Sequence, residues 1–209
     1  MSRKRNFPTI CIALGFPDVA KLLENARAEA DAGETFLEFR LDYLPDPERG
    51  AAAIRQFLDQ FPHCRILATC RRHRNHGYFK GRIDEQLRIL DLAVQNGACA
   101  VDIEIETAEL VPEKLDAFRA HSQLIVSYHN FESTPQLEPI LRRVVRIPAD
   151  AYKVVTTARK PSDTGRVLEA GRASPRVPLI VLAMGETGFP SRVLGPSFGG
   201  IFTYAAPIS

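Results

Sequence analysis

No stretch of this chain reaches the roughly 18 consecutive apolar residues of a membrane span. The formal net charge is only +2 and no basic arm is present; the clusters Arg71-Arg72-His73-Arg74 and Arg142-Arg143 are short. Nothing therefore calls for nucleic acid or an anionic membrane as a partner. The four cysteines (Cys11, Cys64, Cys70, Cys99) have no Cys-x-x-Cys spacing. That argues against a zinc site or a disulfide framework and for reduced, buried thiols. No spacing of His, Cys, Asp and Glu resembles a metal site, so no metal is expected. The start, Met1-Ser2-Arg3-Lys4-Arg5 before an apolar run from Phe7 to Phe16, imitates a signal peptide, but Pro8 interrupts the run and no small-residue cleavage site follows. These absences lead to a soluble, cytoplasmic protein.

What is present is an ordinary globular composition, 45% hydrophobic and 25% charged, in 209 residues, enough for one well-buried core. A single domain over residues 1–209 is the expectation. Strands read at Thr9–Phe16, Thr35–Leu44, Arg65–Cys70, Ala98–Glu104, Gln123–Tyr128, Ala151–Thr157, Pro178–Met184 and Gly200–Tyr204. Helices fall between them: Asp18 caps one through about Ala32, Asp46-Pro47 opens one to about Gln60, and Ile83, Leu87, Leu90 and Val94 form the stripe of a third. Further helices read at about Pro112–Ala120, around Pro135–Arg146, from Ser162-Asp163 to near Ala173, and briefly around Pro190–Leu194. Eight strands alternating with helices imply parallel pairing through crossovers, and eight units suggest a (β/α)8 (TIM) barrel in the α/β class. An open doubly wound sheet is the rival, but Gly15-Phe16-Pro17-Asp18 lacks the glycine-rich dinucleotide fingerprint.

Charges inside buried strands are costly unless paired or functional. The second strand carries Glu38 and Arg40 on one face, the third ends at Arg71, and the fourth carries Asp102 and Glu104 on one face. The fifth ends in Tyr128-His129-Asn130, and the sixth holds Lys153 among β-branched and aromatic residues. All but Lys153 lie at or near C-terminal strand ends, and Arg192 follows the seventh strand; in a barrel that end carries the active site. Each residue has a plainer reading. Glu38 with Arg40 could be a structural ion pair, Asp102 and Glu104 could be plugs bonded to backbone, and Lys153 could snorkel from an edge strand. Five strands supplying polar groups to one rim make the joint reading, an active site, more economical.

A desolvated lysine condenses with a carbonyl to form an imine, whose cationic form acidifies the adjacent carbon. A histidine, with an unperturbed pKa near 6.5, suits the base that removes that proton. Arginines suit a carboxylate, and Glu38, Asp102 and Glu104 could accept from substrate hydroxyls. The chemistry points to a Schiff-base lyase acting on a polar, carboxylated carbonyl compound, with aldolase and dehydratase both open.

Glu38-Phe39-Arg40-Leu41-Asp42, Thr69-Cys70-Arg71, Val101-Asp102-Ile103-Glu104, Ser127-Tyr128-His129-Asn130-Phe131, Tyr152-Lys153-Val154-Val155, and Ser191-Arg192 followed by Phe198-Gly199-Gly200 resemble, in the same order, the motifs of type I 3-dehydroquinate dehydratases. The resemblance implies a (β/α)8 barrel that dehydrates 3-dehydroquinate to 3-dehydroshikimate in the shikimate pathway without metal or organic cofactor. It implies that Lys153 forms the imine and His129 is the acid/base. It further implies that Glu38, Arg40 and Arg71 hold substrate hydroxyls and order the site, that Arg192 binds the substrate carboxylate, and that Asp102 orients or charge-stabilises the histidine, with Glu104 supporting. A homodimer is compatible with this reading.

Two departures stand out. Where the family often has a glutamate, the loop after Arg71 has Asn75, which hydrogen-bonds but cannot supply negative charge. After the eighth strand the sequence reads Ala205-Ala206-Pro207-Ile208-Ser209, without an Ala-Pro-Gly-Gln-like closing loop or the final helix. The expectation is an exposed apolar patch on strands one and eight, reduced stability, or a partner surface over it. The alternatives to a dehydratase are a truncated or impaired ligand-binding relative and another class I Schiff-base lyase or aldolase; for the latter no phosphate-binding glycine loop is evident.

Overall fold

Strands and helices alternate along residues 7–208, which the computed structural model describes, and these residues fall into two compact units. One is formed by residues 11–124 with 205–208, the other by residues 7–10 with 125–204.

In the first unit β1 (Ile10–Leu14), β2 (Phe36–Arg40), β3 (Arg65–Thr69) and β4 (Ala100–Glu104) pair in parallel in that order. Parallel neighbours need long crossovers, supplied by α1 (Val19–Asp31), α2 (Pro47–Gln60) and α3 (Ile83–Gln95). The helix starts follow from local chemistry. Asp18 and Asp46 accept from the backbone N–H of Lys21 (2.8 Å) and Arg49 (3.3 Å), satisfying donors that a helix N-terminus leaves open. Gly33 and Gly97, at φ 98° and 105°, terminate α1 and α3 in a conformation that favours glycine. Strand alternation then decides which residues face the helices. Phe39 is fully buried with its ring 5.8 Å from that of Phe57 on α2, so Glu38 and Arg40 necessarily point to the opposite face.

β1, β3 and β4 fall within one or two residues of the expected bounds, and three departures in this unit are larger. β2 stops at Arg40 because Leu41–Tyr43 closes a 3-10 turn, with the Leu44 N–H bonded to the Leu41 carbonyl at 3.1 Å. α4 (Ile105–Ala108) begins directly at the end of β4, where no helix is expected. The stretch from Pro112 is a 3-10 turn, Pro112–Lys114, leading into α5 (Leu115–His121).

In the second unit β5 (Gln123–His129), β6 (Ala151–Thr157) and β7 (Leu179–Met184) pair in parallel, linked by α6 (Leu137–Val144) and α7 (Pro161–Arg172). α7 starts at Pro161, one residue before the expected Ser162, because proline fits a first helical turn and Asp163 accepts from the N–H groups of Arg159 and Lys160. α8 (Pro190–Leu194) lies where the sequence puts it. β8 (Thr203–Ala205) starts later than Gly200, since Gly199 takes φ 91° and Gly200 bonds back to the Gly195 carbonyl at 2.9 Å. Among the described residues no helix is long and apolar enough to cross a membrane.

Candidate active site

The Lys153 strand lies exactly over Ala151–Thr157, and alternation sends Tyr152 and Val154 to one face and Lys153 and Val155 to the other. Tyr152 is fixed by its hydroxyl, which donates to the Ile147 carbonyl at 2.8 Å. Lys153 is 5% exposed, which rules out the snorkelling alternative. Register pairs Ser127 with Lys153 and His129 with Val155, so His129 and Lys153 share one face of neighbouring strands. His129 is half-buried and stacks on Phe131, ring centroids 5.9 Å apart. The chain just beyond it is pinned. The Asn130 N–H donates to the Val155 carbonyl at 2.8 Å, and its side-chain oxygen caps the N–H groups of Glu132 and Ser133.

Arg192 comes from α8, and Ser191 explains where that short helix sits. The Ser191 hydroxyl accepts from the Ala183 N–H at 2.8 Å and donates to the Gly188 carbonyl at 2.7 Å, tying α8 to the end of β7. Arg192 Nη1 donates to the Tyr204 carbonyl at 3.2 Å, and the Tyr204 hydroxyl accepts from Lys153 Nζ at 3.1 Å. Tyr204 therefore joins two of the expected site residues.

In the other unit, register puts Arg40 beside Thr69 and Thr69 beside Asp102, so Glu38, Arg40, Thr69 and Asp102 share one face. Glu38 accepts from the Thr69 hydroxyl at 2.7 Å. The Arg40 fork is taken by Asp42, Nε to Oδ1 at 2.9 Å and Nη2 to Oδ2 at 2.8 Å, a bidentate ion pair two residues along the same strand end rather than the pair with Glu38 that spacing alone allows. Burial works against a charge at Arg40, and the hydrogen bonds and charge of Asp42 overcome it, with Glu38 acting in the same sense. The guanidinium is thus held above its ordinary range. The Asp42 side chain is fully buried, so Asp42→Asn is expected to lower stability by about 2–3 kcal/mol in urea unfolding, because it leaves a buried cation without its counter-charge. A loss below about 0.5 kcal/mol would mean the pair adds nothing.

Arg71 is 7% exposed and its Nη2 stands 3.7 Å from Asp102, while its Nε is buried without a hydrogen-bond partner. The loop after it folds back on itself. The N–H of Phe79 donates to the Arg71 carbonyl at 3.1 Å and that of His73 to the Phe79 carbonyl at 2.8 Å. Gly77 packs so close that a Cβ there would stand 2.1 Å from the Arg71 carbonyl oxygen. Asn75 donates to Glu106 Oε2 at 2.8 Å, so the loop draws a carboxylate from α4 toward the position where it lacks one of its own.

Glu104 is a brace. It accepts from the Arg72 N–H at 2.8 Å and from Gln86 Nε2 at 2.7 Å, and Gln86 also donates to the Cys70 carbonyl at 2.9 Å. Burial pushes the Glu104 carboxyl up, against the pull of those donors, and nearby Asp102 adds to the rise. The plug reading anticipated for Glu104 thus describes it. Burial likewise pushes the Cys70 thiol far above its ordinary range, with Asp42 and Glu104 acting in the same direction. Four residues outside the expected set bond through their side chains to residues within it: Asp42 to Arg40, Thr69 to Glu38, Gln86 to Glu104 and Tyr204 to Lys153. Asp42 and Thr69 stand inside the motifs that carry the resemblance; Gln86 and Tyr204 do not.

A model of the type I 3-dehydroquinase family matches residues 10–208. The chain is 36% identical over 205 residues to the 3-dehydroquinate dehydratase of Dehalococcoides mccartyi, covering 97% of this chain and 86% of the relative. It is 36% identical over 190 residues to that of Methanopyrus kandleri, covering 90% and 85%. Among solved structures it is similar to the 3-dehydroquinate dehydratase of Geobacillus kaustophilus, with TM-score 0.86, 28% identity and coverage of 96% and 83%. The fold also matches the type I enzyme of Clostridium difficile bearing covalently modified comenic acid, with TM-score 0.86, 22% identity and coverage of 95% and 84%. Fold and likeness together define a (β/α)8-barrel enzyme that acts on a small molecule. The chain belongs to the type I 3-dehydroquinase family, lyases of the shikimate pathway.

Proposed function

We propose that this protein dehydrates 3-dehydroquinate to 3-dehydroshikimate through an imine on Lys153, with His129 as acid and base. The observation that carries the reading is a lysine buried in β6 on the same face as a half-buried histidine at the end of β5. The Lys153 amine attacks the ring ketone, and uptake of one proton with loss of water leaves an iminium; that proton is released again when the imine is hydrolysed. The iminium withdraws electrons from the neighbouring carbon, and His129 takes the proton from it. The same imidazole returns that proton to the adjacent hydroxyl as the carbon–oxygen bond breaks, so water departs. Hydrolysis of the imine restores the amine and frees the product; the net change is loss of one water.

Arg192 holds the substrate carboxylate by charge-assisted hydrogen bonds. Arg71, with a buried donor unpaired, together with Glu38 and Arg40, holds substrate hydroxyls, since an unmet donor gains most from a ligand that satisfies it. Asp102 keeps Arg71 in place, and Glu104 secures the loop behind it.

Borohydride reduction in the presence of 3-dehydroquinate tests this directly. The expected result is an irreversible mass adduct on Lys153 together with turnover by untreated protein. Binding without turnover would favour an impaired ligand-binding relative, and a folded protein that forms no adduct would sink the Schiff-base mechanism.

A further inference from the structure

The Lys153 amine does not sit against an aliphatic wall. Its Nζ lies 3.1 Å from the Tyr204 hydroxyl oxygen and 4.3 Å from the centre of the same ring. Tyr204 is 6% exposed, and its ring packs on that of Phe202 at 5.3 Å, so the phenol has little freedom to swing away. Its backbone carbonyl accepts from Arg192 at 3.2 Å. One residue of β8 thus touches the amine through its side chain and the guanidinium through its main chain.

We infer that Tyr204 is a positioning residue for the imine chemistry: its hydroxyl aims the Lys153 nitrogen, its ring faces the cation formed there, and its carbonyl sets Arg192 at a fixed reach from that nitrogen. This rests on the function proposed above. An aromatic face attracts a cation whether that cation is an ammonium or an iminium. The nitrogen moves little when it condenses with a ketone, and a protonated imine keeps one N–H. The contact that orients the free amine therefore persists as the N–H of the iminium donates to the phenol oxygen. That favours the protonated imine, the form that draws electrons from the neighbouring carbon. A substrate that offers its ketone to Lys153 and its carboxylate to Arg192 meets two groups whose separation is set by a single residue, which selects for the distance between those two functions.

Tyr204→Phe and Tyr204→Leu test this, measured beside the wild type. Tyr204→Phe keeps the ring and its contact with Phe202, so its thermal midpoint is expected to stay within about 3 °C. Its kcat is expected to fall about tenfold, with KM for 3-dehydroquinate within about twofold and a parallel drop in the rate of borohydride-trapped adduct. Tyr204→Leu removes the ring as well and is expected to lose about a hundredfold in kcat. If Tyr204→Phe keeps kcat and trapping rate within about twofold of wild type, or loses efficiency through KM alone, the positioning role is overturned. If the wild type itself gives neither turnover nor adduct, the proposed function falls and this inference with it; a wild type that does both isolates the question to Tyr204.

Discussion

Lys153→Met is expected to abolish turnover, with kcat reduced by at least about four orders of magnitude, while the protein remains folded. The two halves of that outcome have separate causes. Without the amine there is no imine and no electron sink next to the proton to be removed, so neither His129 nor any arginine can compensate. Folding has no reason to suffer, because Lys153 is 5% exposed and methionine is an unbranched apolar side chain that adapts to a buried position. Unfolding by urea should show equal or greater stability than the wild type. Residual activity above about one hundredth of wild type would show that the reaction does not pass through this nitrogen.

His129→Ala should divide the reaction at its midpoint. Imine formation needs only the amine and the ketone, so a borohydride-trapped adduct should still appear; proton removal needs the imidazole, so dehydration should fall by about 10²–10⁴-fold, the usual range for general acid–base catalysis. Quantifying trapped protein by mass and product by absorbance in the same sample separates the two steps. Turnover near the wild-type rate would contradict the acid/base assignment. Loss of the adduct along with turnover would assign His129 to imine formation instead.

Both residues could be proposed from the sequence for the same reason. A lysine inside a run of β-branched residues and a histidine at a strand end are conspicuous because buried strands exclude such groups unless they are paired or functional. Helix starts were legible at Asp18 and Asp46, where the cap is a side chain acting on a backbone three residues away. Periodicity could not show where β2 would stop. Leu41 and Leu44 continue the apolar pattern of a strand, and the turn between them, closed by the Leu44 N–H on the Leu41 carbonyl, comes with a bidentate clasp of Arg40 by Asp42 that periodicity does not encode. Nor could it show Tyr204, which reads as one more β-forming aromatic in the last strand. Its contacts with Lys153 and Arg192 span 51 and 12 residues, a proximity that no local pattern encodes. Gln86 was hidden differently. It sits on α3 beside a regular apolar stripe, and its role emerges only when that helix brings it against Glu104 and the Cys70 carbonyl.

Cys70 sits between Thr69 and Arg71 with no exposed surface, and burial together with two carboxylates pushes its thiol well above the ordinary range. Since thiolate is the form that alkylating reagents attack, folded protein should shield this sulfur from iodoacetamide, and labelling should proceed through molecules in which the end of β3 has opened. The chain thus carries its own chemical clock. The rate at which Cys70 acquires a label measures how often the floor beneath Arg71 comes apart, without a cysteine having to be engineered there.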